Sequence, residues 1–174
     1  MKLKLLLVLL FCCITNTILS QELTFEEYNP KSTLVVPGKV IKRAKFPFID
    51  VHGHQYRMST EDMFPVIMAM DTLNLQTMVN LSGGSGERLS KAIENANTNF
   101  PGRFVVFCNI NFTDVGGEGW TQNAVAQLEK DVKAGAVGLK VYKSLGLRNK
   151  DVKGNRIKID DTRLDPIWAK CGEL

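Results

Sequence analysis

Short apolar runs with the character of β-strands alternate with helix-like segments through most of this chain. The strand-like runs are 46–54, 76–81, 103–112 and 137–142. Three helical patterns lie between them, at 66–73, 87–96 and 121–134, and a fourth begins at Asp165 with Pro166 in its first turn. This alternation predicts an α/β fold of about four parallel strands joined by helical crossovers. An open doubly wound sheet and part of an eight-stranded barrel both satisfy the pattern.

The first 20 residues have the pattern of a secretory signal peptide. Lys2 and Lys4 supply a positive start, an apolar run extends from Leu5 to Ile14, and Ser20 offers a small residue for cleavage. The apolar run is shorter than the ~20 residues that span a bilayer, which disfavours a transmembrane anchor. We therefore expect an exported protein, periplasmic or secreted, with no stable membrane anchor after cleavage.

Residues 21–45 are predicted to be an N-terminal extension that precedes the domain, which covers residues 46–174. The extension contains Pro30, Pro37 and Gly38 and shows little periodicity. Within it, the segment 32–36 has the composition of a short edge strand.

Charge and cysteine content exclude some classes of function. The chain has 22 Lys and Arg residues against 18 Asp and Glu residues, a formal net charge of +4. Without Lys2 and Lys4 the balance is 20 against 18, or +2, which is too even to favour nucleic acid as a partner. Beyond the predicted signal only Cys108 and Cys171 remain, so we expect no disulfide framework.

The first strand carries the only two histidines of the sequence, His52 and His54. Because side chains alternate along a strand, Asp50, His52 and His54 are expected on the same side of it. Two imidazoles placed in this way can bind one divalent metal ion. The alternative is a pair of strand-end histidines that contact water or a backbone carbonyl.

Polar residues also end later strands. Asn109 and Asn111 are expected on one face at the end of the third strand, and Lys140 lies near the end of the fourth. The glycine-rich turn 82–86 lacks the lysine of a phosphate-binding loop and the spacing of a dinucleotide-binding one, which favours an ordinary tight connection. The charged stretch 148–161 is expected to be an exposed excursion.

Two motifs at strand ends stand out, Phe48-Ile-Asp-Val-His-Gly-His54 and Gly135-Ala-Val-Gly-Leu-Lys-Val-Tyr142. Together they resemble the amidohydrolase superfamily, whose members are metal-dependent hydrolases built on a (β/α)8 TIM barrel. The chain is most similar to the amidohydrolase-related, or amidohydrolase 2, branch. The resemblance implies that His52 and His54 are metal ligands and that Asp50 supports them. It also places Lys140 where some members hold a carboxylated lysine that bridges two metals, and a lysine that binds an acidic substrate is the alternative.

The resemblance implies a function in which metal-activated water attacks an amide, ester or lactone of a small-molecule substrate, with zinc the expected divalent ion. Asn109 and Asn111 would hold the substrate, and Lys140 would be catalytic. The family's later histidines and its aspartate are not in these 174 residues, so we expect the N-terminal half of such a barrel, inactive by itself. The alternatives are a decarboxylase or hydratase on the same fold, or a non-catalytic half-barrel that associates with itself.

Overall fold

In the computed structural model of the protein, residues 24–35 and 37–174 are described. They fall into two units, one ending at Val40 and one spanning Ile41–Leu174. In the first unit, residues 25–27 form a turn in which the amide of Glu27 donates to Thr24 Oγ1 at 3.3 Å. Residues 32–35 form no strand, so the expected edge strand is absent there, and Val36 lies outside the described residues.

The predicted signal peptide, residues 1–20, also lies outside the described residues. Within the described ranges, no helix combines the length and the apolar character needed to cross a membrane. Residues 41–45, which we expected in the extension, belong to the second unit, where the Ala44 amide donates to the Leu73 carbonyl at 3.1 Å.

The second unit alternates strands and helices, which confirms the predicted α/β class. Its strands are β1 (Phe48–Gly53), β2 (Leu75–Asn80), β3 (Phe104–Val106), β4 (Cys108–Asn109) and β5 (Leu139–Lys140). Its α-helices within the described residues are α1 (Phe64–Leu73), α2 (Gly86–Asn99), α3 (Trp120–Lys133) and α4 (Asp165–Glu173), with a 3₁₀-helix at Thr162–Leu164. The helical patterns in the sequence therefore locate all four helices to within a few residues.

All pairings between these strands are parallel and follow chain order. One sheet has the order β1-β2-β3, and β4 pairs with β5. As a result, the carboxyl ends of the strands lie at one edge, where ligand sites of α/β proteins are found.

The single strand expected over residues 103–112 is wrong, because this segment changes partners at Phe107. The Phe107 amide donates to the Asn80 carbonyl of β2 at 2.9 Å, whereas the next amide, of Cys108, donates to the Gly138 carbonyl at 2.9 Å. Gly138 is required at this crossing, because a Cβ there would lie 2.5 Å from the Phe107 ring.

The fourth strand is also shorter than the predicted 137–142. After Lys140 the backbone leaves the ladder, and the Lys140 carbonyl accepts the side-chain amide of Asn109 at 3.0 Å instead of a strand amide. Residue 142 then begins a turn in which the Leu145 amide donates to the Tyr142 carbonyl at 3.1 Å.

Apolar faces of the helices cover the sheet and form the core. The predicted face of α2 is confirmed, because Leu89, Ala92, Ile93 and Ala96 are all buried. They belong to one buried cluster with Phe104 and Val106 of β3. Burial of this face is the main force that holds α2 against the sheet.

The amino terminus of α2 is occupied by a carboxylate of the protein. Asp131 on α3 is only 2% exposed, and its Oδ1 accepts the Gly86 amide and the Gln127 side-chain amide, both at 2.8 Å. A carboxylate here complements the positive end of the helix dipole. The glycine-rich turn is thus a connection closed by Asp131, as the sequence pattern favoured.

The stretch 148–161 is mostly exposed, as its charge predicted, but it is anchored to the domain at a few positions. Ile157 is fully buried, and Asp151 accepts the amides of Lys153 and Asn155 at 3.0 and 2.9 Å. The guanidinium of Arg163 contacts both Asp151 and Asp161. One apolar anchor and a small ion-pair network therefore hold this segment on the domain.

Candidate functional site

The histidine pair lies at the carboxyl end of β1, as expected. Asp50 Oδ1 accepts the His52 amide at 2.9 Å, so its carboxylate fixes the backbone just before the pair. His52 is exposed, His54 is half-buried, and their ring centres lie 5.1 Å apart at an interplanar angle of 68°. A side chain at Gly53 would force Met78 to move, because a Cβ there would lie 2.6 Å from Met78 Cγ.

His54 is held by contacts from three segments of the chain. Its Nδ1 lies 2.7 Å from Ser82 Oγ. The Tyr56 ring stacks on it at 5.7 Å with an interplanar angle of 8°, and the Tyr142 ring lies 6.1 Å away. The imidazole is therefore restrained both in its plane and at Nδ1.

Ser82 and Tyr142, which the sequence did not single out, continue this contact. Ser82 is 3% exposed, and its Oγ lies 2.7 Å from Tyr142 Oη. The Tyr142 hydroxyl also donates to the Leu81 carbonyl at 3.1 Å. One signal for Tyr142 was present, because it shares with Lys140 one face of the strand predicted over 137–142.

Asn80 is a further residue that sequence reasoning missed. It is fully buried at the end of β2, and its Oδ1 accepts the amides of Gln55 and Ser82 at 2.9 and 3.0 Å. Its Nδ2 donates to the Gln55 carbonyl at 3.1 Å. Asn80 thereby ties the loop that carries His54 to the turn that carries Ser82.

The two asparagines predicted to bind substrate differ from each other in their hydrogen bonds. Asn109 Oδ1 accepts the Gly84 amide at 2.9 Å, and its Nδ2 donates to the carbonyls of Leu81 and Lys140 at 3.1 and 3.0 Å. These bonds to the backbone make Asn109 a clamp between strand ends. Asn111 is exposed, and its Oδ1 accepts the Thr113 amide at 2.9 Å.

Lys140 lies opposite Asn109 in the parallel pairing of β5 with β4 and is half-buried. Its ammonium forms no ion pair with any residue in the described ranges.

Cys108 of β4 is buried, and burial raises the pKa of its thiol to about 12, so it remains an uncharged side chain of the core. Cys171 is exposed, and both cysteines are free.

The separation of the histidine rings fits two ligands of one metal ion. Zinc–nitrogen bonds of about 2.0–2.1 Å place the centres of two imidazoles about 5 Å apart at a tetrahedral angle. Within residues 24–35 and 37–174, however, no group of three or more His, Cys, Asp or Glu side chains comes together. Among these residue types, His52 and His54 therefore offer at most two ligands to a metal ion, and Lys140 or water would have to complete such a site.

A groove of about 330 Å³ is lined by Ser82 and Tyr142, which contact His54, but not by either histidine. Its lining also includes both asparagines predicted to bind substrate, Asn109 and Asn111, together with Tyr56 and Arg88. Arg88 Nη2 donates to the Tyr56 carbonyl at 2.6 Å, which holds the guanidinium at the groove. The groove combines aromatic surface with hydrogen-bonding groups, a lining suited to a small polar molecule.

Comparison of the chain with family models, curated proteins and solved structures gives no match. Membership of the amidohydrolase superfamily therefore remains a prediction from the two sequence motifs.

Proposed function

We propose that this chain is part of an exported metal-dependent hydrolase of the amidohydrolase type, with a divalent ion, zinc, held by His52 and His54. The observation that carries the proposal is the placement of the two imidazoles, 5.1 Å apart at the carboxyl end of a parallel strand. The sequential order of the strands supports the finer fold, the N-terminal half of a (β/α)8 barrel.

In this proposal the residues of the chain have separate tasks. His52 and His54 bind the ion, and Asp50 fixes the strand end through the His52 amide. When bound, such an ion acts as a Lewis acid and makes water nucleophilic near neutral pH. The groove next to these residues takes the small-molecule substrate, with Arg88 in its lining. Lys140 lies outside that lining and forms no ion pair among the described residues, and its assigned task is to hold an acidic group of the substrate. An amide, ester or lactone would suit this chemistry.

Zinc binding to the 174-residue chain tests the proposal. We expect one zinc ion per chain by isothermal titration calorimetry, and loss of that binding in His52→Ala, because one imidazole alone is a weak ligand set. Gln76→Ala is the control, since Gln76 is exposed at the opposite end of β2 and should leave the titration unchanged. If His52→Ala binds zinc as well as the unchanged chain does, the pair is not a metal site.

A second proposal, a non-catalytic half-barrel that associates with another copy, is favoured by the surface of β1. Ile49 and Val51 are 56% and 69% exposed on a strand at the edge of its sheet. Exposed apolar side chains beside an unpaired strand edge promote association between chains.

A further inference from the structure

We infer that Ser82 and Tyr142 hold His54 in the tautomer that carries its proton on Nδ1, so that Nε2 keeps a free lone pair. Both would then be positioning residues for the ligand atom of His54. The use of that lone pair for a metal rests on the proposed function, whereas the tautomer itself does not.

The direction of the hydrogen bonds follows from counting donors along the chain of contacts. The Leu81 carbonyl can only accept, and the Tyr142 hydroxyl donates to it at 3.1 Å. With that proton used, Tyr142 Oη accepts from Ser82, and Ser82 Oγ in turn accepts from His54 Nδ1. This direction makes three hydrogen bonds.

The opposite direction makes only two of these bonds. If Tyr142 donated to Ser82 and Ser82 donated to His54 Nδ1, no proton would remain for the bond from Tyr142 to the Leu81 carbonyl. Because buried hydroxyl groups are nearly always satisfied by hydrogen bonds, the arrangement with more bonds is favoured. The other ring nitrogen of a histidine is commonly fixed in this way when the first binds a metal.

The surroundings keep the ring from turning over. Ser82 is 3% exposed, and its amide donates to Asn80 Oδ1 at 3.0 Å, so its hydroxyl is held in place from the backbone. Stacking on Tyr56 fixes the plane of the imidazole. A flip of the His54 ring would break the bond to Ser82 Oγ and leave that buried oxygen without its donor.

The tautomer can be measured directly in the metal-free, 174-residue chain. Long-range ¹H–¹⁵N correlation spectra, recorded at a pH where both imidazoles are neutral, distinguish protonated from unprotonated ring nitrogens. We expect His54 to be protonated at Nδ1. His52 serves as an internal reference, because its ring makes no hydrogen bond to any residue that the structure describes.

Tyr142→Phe is the decisive variant. Without Tyr142 Oη, the Ser82 proton loses its acceptor and is donated to His54 Nδ1, so the proton of the imidazole should move to Nε2. Tyr56→Phe is the matched control, since it removes an exposed hydroxyl and keeps the stacked ring. The amide spectrum of each variant verifies that it is folded.

The inference is overturned if His54 carries its proton on Nε2 in the unchanged chain, or if Tyr142→Phe and Tyr56→Phe give the same spectrum. Zinc affinity is a separate readout. We expect Tyr142→Phe to weaken it about 10-fold, as loss of a group that orients a ligand usually does. If the chain shows the expected tautomers but binds no zinc, Ser82 and Tyr142 still position the His54 ring, and the histidine pair is not a metal site.

Discussion

Asn80 is the residue on which the geometry around His54 depends most. Three of its hydrogen bonds reach backbone groups in two different loops, and the side chain is fully buried. An alanine at this position would leave the amides of Gln55 and Ser82 without their acceptor in a buried environment. Unsatisfied groups of this kind cost much more than the net value of the bonds that they replace.

We therefore expect Asn80→Ala to lower the free energy of unfolding by about 2–4 kcal/mol, measured by urea denaturation. Asn99→Ala is the control, because Asn99 is exposed at the end of α2 and bonds only to Asn95 among the described residues. Its effect should stay within about 0.5 kcal/mol. Equal effects of the two substitutions would show that Asn80 is not a structural link.

The residues around His54 illustrate how far a sequence can predict a site. The proximity of His52, His54 and Asp50 was predicted because strand periodicity puts them together locally. Ser82 and Tyr142 were missed because their contact with His54 depends on which strands become neighbours. Nothing in the sequence around Ser82 distinguishes it from the other small residues of the 82–86 turn. The same dependence explains why the backbone hydrogen bonds of Asn109 were not foreseen, whereas its predicted contact with substrate stays a prediction.

At the scale of elements, the 3₁₀-helix is held by an ion pair. Asp161 Oδ1 accepts the Arg163 amide and Nε at 3.1 and 2.8 Å, and Oδ2 accepts Nη2 at 2.6 Å. The hydrogen bond from the Arg163 side chain holds the pKa of Asp161 below its ordinary value. In the unfolded chain the same carboxyl titrates near the usual value, about 3.9.

Stability should therefore depend on pH through Asp161. The unfolded state takes up the proton first as the pH falls, so the contribution of this pair is full above about pH 4 and is lost below it. Denaturation curves recorded across this pH range should show the fall in the free energy of unfolding. In Arg163→Met the free energy of unfolding should depend less steeply on pH. Arg156→Met is the control, since Arg156 is exposed and makes no ion pair within the described residues. An unchanged slope in Arg163→Met would contradict the assignment.

Helices and strands differ in how well the sequence predicted their limits. The helices have continuous apolar faces, such as the one on α2, and their predicted bounds agree closely with the observed ones. The third and fourth strands were overestimated, because apolar residues continue beyond the point where the backbone leaves the ladder. Strand ends are decided by partners such as Gly138 and Asn109, which lie far away in sequence.

At the scale of the whole molecule, the apolar surface of β1 has consequences for association. We expect the 174-residue chain to self-associate in sedimentation velocity experiments as its concentration rises. Val51→Lys should shift it towards monomer, because it places a charge on the exposed strand. Val152→Lys is the control, since Val152 is also exposed but lies in the 148–161 segment. A chain that is monomeric throughout, or equally affected by both substitutions, would exclude β1 as the contact.

The crossing at Phe107 also determines how the domain can open. Consecutive amides of Phe107, Cys108 and Asn109 donate to three different segments, at Asn80, Gly138 and Gly84. Neither β2 nor β5 can separate from this segment without releasing one of them to water. Amide hydrogen exchange at these three positions therefore reports on the opening of both sheets, so these amides are suited to measuring local unfolding of the domain.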